Sequence, residues 1–215
     1  DPRQVLAAFS LERLTFEEAM ELSHFGAKVI HPPTMLPALR KRIPIRIRNT
    51  FRPGFAGTLI SDRPEVDPAL PAKGIAATVG ISLVTVAGTD TLGPAAIAAR
   101  VFAALAERKI PVALVTQSSS EHSLCLAVGS GYARTAREAL ELAFRVEIHH
   151  GQITSVTVED GCAIIAVVGE KLRESTRVTE QAFAALGRRG IAPLAIALGA
   201  SGRNLTIALR QDERE

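Results

Sequence analysis

The sequence contains few side chains whose types and spacing could perform catalysis. His149 and His150 are adjacent, but no second pair of ligands at metal-binding spacing accompanies them, so we predict a solvated strand end. His122 lies in a serine-rich segment, and one histidine beside scattered serines does not form a catalytic triad. The glycines of the chain do not match a nucleotide phosphate-binding loop. These patterns predict no catalytic site and no metal site in this sequence.

Two polar segments could instead bind a small ligand. Residues 88–94 form a glycine-containing turn before a predicted helix, and residues 116–121 read Thr-Gln-Ser-Ser-Ser-Glu. Backbone N–H groups at a helix N-terminus can bind a carboxylate, while Asp90 or carbonyl oxygens can accept from an ammonium group. The Gln117 amide can both donate and accept hydrogen bonds. Such a composition also fits loops that are satisfied by water, and the residues alone leave both interpretations open.

Length and composition place the chain among globular proteins. Its 215 residues, 47% hydrophobic and 22% charged, exclude a wholly disordered or fibrous protein and suit one large domain or two smaller ones. No apolar run reaches the roughly 20 residues needed to cross a bilayer. Cys125 and Cys162 fall in apolar segments, which favours reduced core cysteines in a cytoplasmic protein over a disulfide.

The charge pattern argues against binding to nucleic acid or to membranes. The net charge is +3, from 25 basic and 22 acidic residues, and the densest basic group lies within residues 40–48. Nucleic-acid binding requires a clustered basic face, whereas most basic residues here alternate with acidic ones. We therefore predict an ordinary solvated surface.

An internal duplication organises the second half of the chain. Residues 80–128 align with residues 161–209 without a gap, and the shared residues include Phe-Ala-Ala-Leu at 102–105 and 183–186. In each copy, a short β-branched stretch, a glycine-containing turn and an amphipathic helical stripe precede two further apolar stretches. Each copy therefore predicts the order β-α-β-β.

The first copy continues into a complete ferredoxin-like unit. Residues 135–138 form a capping-box pattern that opens a second helix, and we predict a strand around residues 146–149. The resulting order β-α-β-β-α-β is a ferredoxin-like, α+β arrangement over residues 73–153. RNA-binding domains share this order, but they stack bases on strand aromatics, and the predicted strands contain none.

The second copy stops after its third strand, so its last helix and strand must come from elsewhere. Residues 34–40 have a short helical pattern, and residues 43–48 alternate apolar with polar residues, as a half-buried strand does. We therefore predict that residues 33–60 and 154–210 form one discontinuous second unit. The first unit, residues 73–153, is then inserted between its two parts.

Residues 1–32 belong to neither repeat. A capping box from Thr15 to Glu18 begins a helix that Gly26 ends. We expect this segment to be the edge of a further domain whose body precedes residue 1.

Several segments carry a resemblance to a known family. Residues 25–32 (Phe-Gly-Ala-Lys-Val-Ile-His-Pro), 43–50 (Ile-Pro-Ile-Arg-Ile-Arg-Asn-Thr) and 57–60 (Gly-Thr-Leu-Ile) resemble the junction of aspartate kinases. There the catalytic domain meets a regulatory module of two ACT domains. Residues 116–123 are similar to the branch that is fused to homoserine dehydrogenase. The resemblance covers essentially the whole chain and implies two ferredoxin-like ACT domains, the first inserted into the second, preceded by the edge of a kinase catalytic domain.

The resemblance also implies what the intact protein does. The family uses ATP and Mg to phosphorylate the β-carboxylate of aspartate, but most of that catalytic domain is absent, so we expect this chain alone to be inactive. Arg3 and Lys28 would contact the nucleotide phosphates in the intact enzyme. Whether a homoserine dehydrogenase domain, a diaminopimelate decarboxylase domain or nothing follows Glu215 stays open.

The resemblance further implies an amino-acid effector, bound where ACT domains pair in a homodimer. The second copy has Leu198 in the position of Gln117, so we expect one functional site, in the first copy. The residues expected to form this effector site are Asp90, Leu92, Gly93, Val112, Ala113, Gln117, Ser118 and Ser119.

Threonine is the favoured effector and lysine the second choice. Lysine-sensitive relatives carry an acidic residue at the position that corresponds to Ala113, and a buried ammonium group without a partner costs several kcal/mol. The threonine hydroxyl needs only a hydrogen bond, which Gln117 or Ser118 could supply. The main alternative is an ACT dimerisation scaffold without a ligand, and an RNA-binding module is a remote one.

Overall fold

The candidate site is positioned by two β-sheets in the computed structural model, which describes residues 5–27, 30–63, 71–89, 93–118 and 122–213. The smaller sheet and its helices come from the first part of the chain. They are β1 (Arg13–Thr15), α1 (Phe16–His24), α2 (Pro32–Arg40), β2 (Ile45–Ile47) and β3 (Thr58–Ser61). β3 lies in the middle, parallel to β1 and antiparallel to β2, and buried Phe16, Met35 and Ile60 form the core beneath.

The larger sheet and the helices that cover it come from the rest of the chain. Its strands are β4 (Gly74–Gly88), β5 (Val112–Ser118), β6 (Ser123–Gly129), β7 (Ile153–Val168), β8 (Ala195–Leu198) and β9 (Asn204–Arg210). The helices are α3 (Pro94–Glu107), α4 (Ala133–Ala143), α5 (Arg145–His149) and α6 (Thr176–Arg188). The strands are antiparallel, in the order β5-β6-β4-β7-β9-β8.

The two central strands are unusually long, and each serves two units. β4 has 15 residues and β7 has 16, and their pairing register shifts between Val79 and Ile81. Gly80 and Gly161 lie at this irregularity with φ of 69° and 71°, a conformation that favours glycine. The second part of β4 pairs with β6 and the first part of β7, while the first part of β4 pairs with the last part of β7.

The predicted order of the first unit is confirmed. The second part of β4, then α3, β5, β6, α4 and the first part of β7 follow one another as β-α-β-β-α-β, with the strand order of a ferredoxin-like sheet. Helices α3 and α4 cover one face of this sheet, because their apolar stripes contribute Ile97, Val101, Leu105 and Leu140 to the core. The capping-box pattern at 135–138 lies inside α4, which already begins at Ala133.

The strand predicted around residues 146–149 is wrong, because this segment forms the short helix α5. The backbone N–H of Ile148 donates to the Phe144 carbonyl at 2.8 Å, which continues the helical pattern beyond α4. Arg100 on α3 fixes α5 by pairing with Glu147 and by donating to the carbonyl of Ala143. Gly151, with φ of 71°, then turns the chain into β7.

The strand expected to complete the second unit also lies elsewhere. The segment 43–48 does contain a strand, β2, but it pairs with β3 in the smaller sheet. The fourth position beside β7 is filled by the first part of β4, with Gly74 opposite Val168 and Val79 opposite Ala163. Residues 33–60 therefore do not supply this strand, because β4 is long enough to cross both units. The boundary between residues 153 and 154 stays a prediction, and β7 runs through it without interruption.

The inner faces of the two units pack against each other. Leu83 and Ala127 of the first unit share one buried cluster with Ile164 and Ala208 of the second. The edge strands β5 and β8 approach each other, so the sheet is strongly curved around this cluster. Cys162 is buried and Cys125 half-buried at the same faces, and burial raises the pKa of both thiols. None of the described helices is long and apolar enough to cross a membrane.

Candidate functional site

The structure brings Gln117 to the first turn of helix α3. The Nε2 group of Gln117 donates to the carbonyl of Pro94 at 3.3 Å. Gly93 is the residue that caps α3, and Pro94 begins the helix, where its missing N–H costs nothing. The N–H of Ala96 donates to the carbonyl of Gly93 at 3.0 Å, so the N–H of Ala95 is the donor of this first turn that has no partner among the described residues. The end of β5 and the start of α3 thus meet at one edge of the first unit.

The turn after β4 is tied to the neighbouring segments by backbone hydrogen bonds. The N–H of Gly88 donates to the carbonyl of His122 at 3.1 Å, and the N–H of Thr89 donates to the carbonyl of Gln152 at 2.9 Å. Gly88 and Thr89 at the end of β4 are therefore held beside His122 and Gln152. Gly88 and Thr89 begin one of the two polar segments that the sequence singled out, and part of each segment lies outside the described residues.

The other predicted effector residues do not all lie at this edge. Val112 and Ala113 are at the opposite end of β5, and four residues of extended strand separate Ala113 from Gln117 by roughly 13 Å. Val112 packs on the helix-covered core, whereas Ala113 packs on the inner cluster between the units. A small ligand at Gln117 would not reach the side chain of Ala113 in the same chain.

Several predicted residues cannot be placed in the site. The nucleotide-binding residues and part of the effector site lie outside the described residues, and so does the side chain of Ser118. The residues concerned are Arg3, Lys28, Asp90, Leu92 and Ser119. Within the part of the chain that the structure describes, no group of three or more His, Cys, Asp or Glu residues could hold a metal ion.

The second unit repeats the geometry of this turn but not its chemistry. The N–H of Gly169 donates to the carbonyl of Arg203 at 3.0 Å, which is the repeat's counterpart of the Gly88–His122 bond. Leu198 takes the position of Gln117 and is about half exposed. At this turn the two copies therefore share the backbone bond and differ in residue type, and the expectation that only the first copy binds a ligand stays a prediction.

Sequence reasoning missed a polar cluster at the second turn. Glu18 is only 1% exposed, and its Oε1 accepts a hydrogen bond from the backbone N–H of Glu170 at 3.0 Å. Its Oε2 accepts from the N–H of Thr15 at 2.8 Å, while the Thr15 hydroxyl accepts from the N–H of Glu18 at 3.1 Å. Burial raises the pKa of Glu18, and the two backbone donors partly oppose that shift. The capping box was visible in the sequence, but its contact with Glu170 was not.

A salt bridge and an amide complete this cluster. The Arg203 guanidinium donates to Oε1 of Glu170 at 2.8 Å, and the Thr15 hydroxyl donates to the same oxygen at 3.0 Å. The hydrogen bond to Glu170 raises the pKa of Arg203. Nearby, the Asn204 amide donates to Oε2 of Glu21 at 2.7 Å. The second turn therefore binds helix α1.

Two surface grooves lie away from both turns. One, of about 320 Å³, runs between α3 and α4 and is lined by Arg100, Ala104 and Ala143 among others. The other, of about 420 Å³, lies between α4 and β7 and is lined by Arg137, Ile148 and Val156 among others. Neither contains a residue of the candidate effector site.

Comparison with known proteins identifies the units. A family model for the ACT domain matches residues 84–144, which lie within the first unit. A bifunctional aspartokinase/homoserine dehydrogenase from Arabidopsis thaliana is 36% identical over 99% of this chain. The chain covers 24% of that relative.

Solved structures give the same result for the fold. Aspartokinase III from E. coli in complex with aspartate and ADP (R-state) matches 99% of this chain, with 30% identity and a TM-score of 0.81. The same enzyme in complex with lysine and aspartate (T-state) matches 99% of this chain, with 31% identity and a TM-score of 0.75. The chain covers 46% of each of these structures.

The chain therefore contains an ACT domain in its first unit, and its two ferredoxin-like units share their central strands. Over almost its whole length it is similar to aspartokinases, including bifunctional aspartokinase/homoserine dehydrogenases. The chain spans about a quarter of the length of the bifunctional relative and about half of the length of aspartokinase III.

Proposed function

We propose that this chain is the feedback-regulatory part of an aspartate kinase and binds threonine at the edge of its first ACT unit. The observation that carries the proposal is the meeting of Gln117 with the start of α3, in the one copy of the duplicated unit that has this residue. In the intact protein, the bound amino acid would control the ATP-dependent phosphorylation of aspartate.

The chemistry of this edge suits an amino acid. The N–H of Ala95 at the start of α3 can bind the α-carboxylate, because the positive end of the helix dipole favours an anion there. Gln117 can donate to the carboxylate or accept from the hydroxyl of threonine. Its present partner, the carbonyl of Pro94, is at a long 3.3 Å, so a ligand can replace that bond at little cost.

Threonine remains the first choice and lysine the second. The threonine hydroxyl needs only a hydrogen bond, which Gln117 can supply, whereas burying a lysine ammonium group without a charged partner costs several kcal/mol. Lysine stays the second choice because an aspartokinase of similar fold has been solved in complex with lysine.

We further propose that the effector acts on a homodimer paired through its ACT units. Feedback inhibition then needs only a different affinity of the effector for two conformations, and a coupling of roughly 1–3 kcal/mol suffices. ATP and Mg would belong to the catalytic domain of the intact enzyme, with Arg3 and Lys28 near the nucleotide phosphates. The described residues do not fit a metal site.

Titration calorimetry of this chain with threonine, lysine and methionine tests the proposal. We expect saturable threonine binding, no methionine binding, and a roughly threefold to tenfold weaker affinity for Gln117→Ala, as for one lost hydrogen bond. Leu198→Ala, the matched change in the second unit, should bind threonine like the wild type. Equal threonine affinity in the wild type and Gln117→Ala would refute the proposed site, and binding of lysine alone would overturn the choice of effector. A chain that binds none of the three would favour a dimerisation scaffold.

A further inference from the structure

We propose that helix α1 is an internal ligand of the second unit, in which the Glu18 carboxylate binds the counterpart of the Thr89 N–H, at the turn that corresponds to the edge of the first unit's candidate site. This position, the N–H of Glu170 in the second unit, is filled whichever effector the first unit binds. Its ligand is a carboxylate that the chain itself supplies.

The two positions correspond residue by residue. The bonds from Gly88 to His122 and from Gly169 to Arg203 are the same bond in the two copies, at 3.1 and 3.0 Å. The next N–H along the chain differs in its acceptor. In the first copy, the N–H of Thr89 donates to a backbone carbonyl, whereas in the second copy the N–H of Glu170 donates to the Glu18 carboxylate.

The surroundings of Glu18 are those of a bound carboxylate. Each of its two oxygens accepts a backbone N–H, at 2.8 and 3.0 Å, and the residue is 1% exposed. Arg203 stands behind Glu170 and supplies positive charge to this pair of carboxylates. Buried carboxylates persist only where donors and a cation compensate for the lost hydration, and this cluster provides both.

Close packing also holds α1 and the residues after it against the second unit. A Cβ at Gly74 would lie 3.1 Å from Cδ2 of Leu22, and a Cβ at Gly26 would lie 2.6 Å from the carbonyl oxygen of Ala77. Phe25 is 6% exposed and belongs to the cluster between the units. No ligand from solution can reach the Glu170 N–H unless α1 leaves. The N-terminal segment therefore fills this edge of the second unit.

Rescue by acetate tests the assignment. Glu18→Ala removes one methylene and one carboxylate, which together have the size and charge of acetate. We expect acetate, at constant ionic strength against chloride, to raise the thermal midpoint of Glu18→Ala in a saturable way. At about five times its dissociation constant the shift should be roughly 2–4 °C, as linkage predicts for a chain of this length.

Two proteins serve as controls for the acetate effect. The wild type has its own carboxylate in place, and Glu17→Ala removes a carboxylate from the same helical turn, so neither should respond. An equal acetate response of Glu17→Ala and Glu18→Ala, or no response of a folded Glu18→Ala, would overturn the proposal.

Amide hydrogen exchange of Glu18→Gln tests the same inference without a cavity. The glutamine fills the space, but its NH₂ group faces a backbone donor, so one of the two N–H bonds is lost. We expect exchange at the N–H of Glu170 or at that of Thr15, whichever the NH₂ group faces, to become roughly tenfold faster or more, with both unchanged in Glu17→Gln. This measurement decides the question if Glu18→Ala does not fold. Unchanged protection of both N–H groups in Glu18→Gln would contradict the proposed bonds.

Discussion

Replacing Gly80 or Gly161 with alanine should destabilise the protein, although neither new methyl group meets an obstacle. The two glycines occupy the same position in the duplicated units, with φ of 69° and 71°. A Cβ built at either position has no heavy atom within 4 Å. Any loss of stability must therefore come from the backbone conformation and not from crowding.

The expected loss follows from two opposing effects. A residue with a side chain pays about 1–2 kcal/mol in the left-handed region, because its Cβ approaches the following carbonyl. Alanine also restricts the unfolded chain more than glycine, which returns about 0.4–1 kcal/mol. The net loss should be roughly 0–1.6 kcal/mol for each substitution, and about 0.8 kcal/mol at the middle of both ranges. Asparagine tolerates this region better, so Gly80→Asn should cost less than Gly80→Ala.

Urea unfolding at neutral pH gives the comparison, with Gly187→Ala as the matched control. Gly187 lies in α6, is exposed and has no heavy atom within 4 Å of a built Cβ, but its backbone is helical. The same chemical change should therefore stabilise α6 by roughly 0.4–1 kcal/mol. The two changes differ in the sign of their effect because they differ in φ alone.

A stabilising effect of Gly80→Ala or Gly161→Ala would refute this reasoning. It would mean that the two bulges do not hold a left-handed glycine in solution. An equal effect at Gly187 and at the bulges would lead to the same conclusion, since the argument requires opposite signs.

Three further predictions concern buried groups. Phe144→Ala should lower the free energy of unfolding, measured in urea, by about 3–5 kcal/mol, because the ring is fully buried and its centroid lies 4.4 Å from the guanidinium carbon of Arg100. Phe102→Ala should lower it much less, because that ring is partly exposed. The hydrogen bond from Arg100 lowers the pKa of Glu147, so the wild type should exceed Glu147→Gln in stability above the ordinary glutamate pKa. That advantage should disappear as the pH falls through the lowered pKa, and a difference that persists in acid would contradict it. Burial raises the pKa of Glu18 more than its two backbone donors lower it, so the stability of the wild type relative to Glu18→Gln should fall as the pH rises through that raised pKa; a rise instead would mean that the donors outweigh burial.

The first unit could be predicted from the sequence because its signals are local and repeated. The aligned copies give the same β-branched stretches and the same helical stripe, and α3 and α6 begin and end close to where this pattern requires. The prediction of a strand at 146–149 failed because the spacing of Val146 and Ile148 fits the alternation of a strand as well as it fits a short helix. Tertiary contacts from Arg100 select the helix, and no local pattern contains them.

The second unit could not be completed from local patterns. Residues 43–48 do form a short strand, but the sequence does not say which sheet a strand joins. The missing strand lay just before the first repeat, where residues 74–79 (Gly-Ile-Ala-Ala-Thr-Val) run directly into the first strand of that repeat, so the sequence does not show that they serve a second unit. The cluster around Glu18 joins residues 152 positions apart, so only its capping box was visible beforehand.

Under the two proposals the duplicated units have different roles, and β4 connects the two units. Its last residue, Gly88, is bonded to the loop of the candidate effector site, and its first residue, Gly74, lies against Leu22 of α1. Both long strands, β4 and β7, are paired with other strands on either side. Under the proposed function, an effector that displaces the Gly88 end of β4 must therefore move the whole strand, unless the irregularity at Gly80 and Gly161 absorbs the displacement. Because Glu18 and Thr15 bind α1 to Glu170 of the second unit, any reorientation of that unit moves the N-terminal segment with it. A first unit with an open edge can thus sense the effector, while a second unit with a filled edge transmits its effect, and a coupling of roughly 1–3 kcal/mol lies within what such a contact can supply.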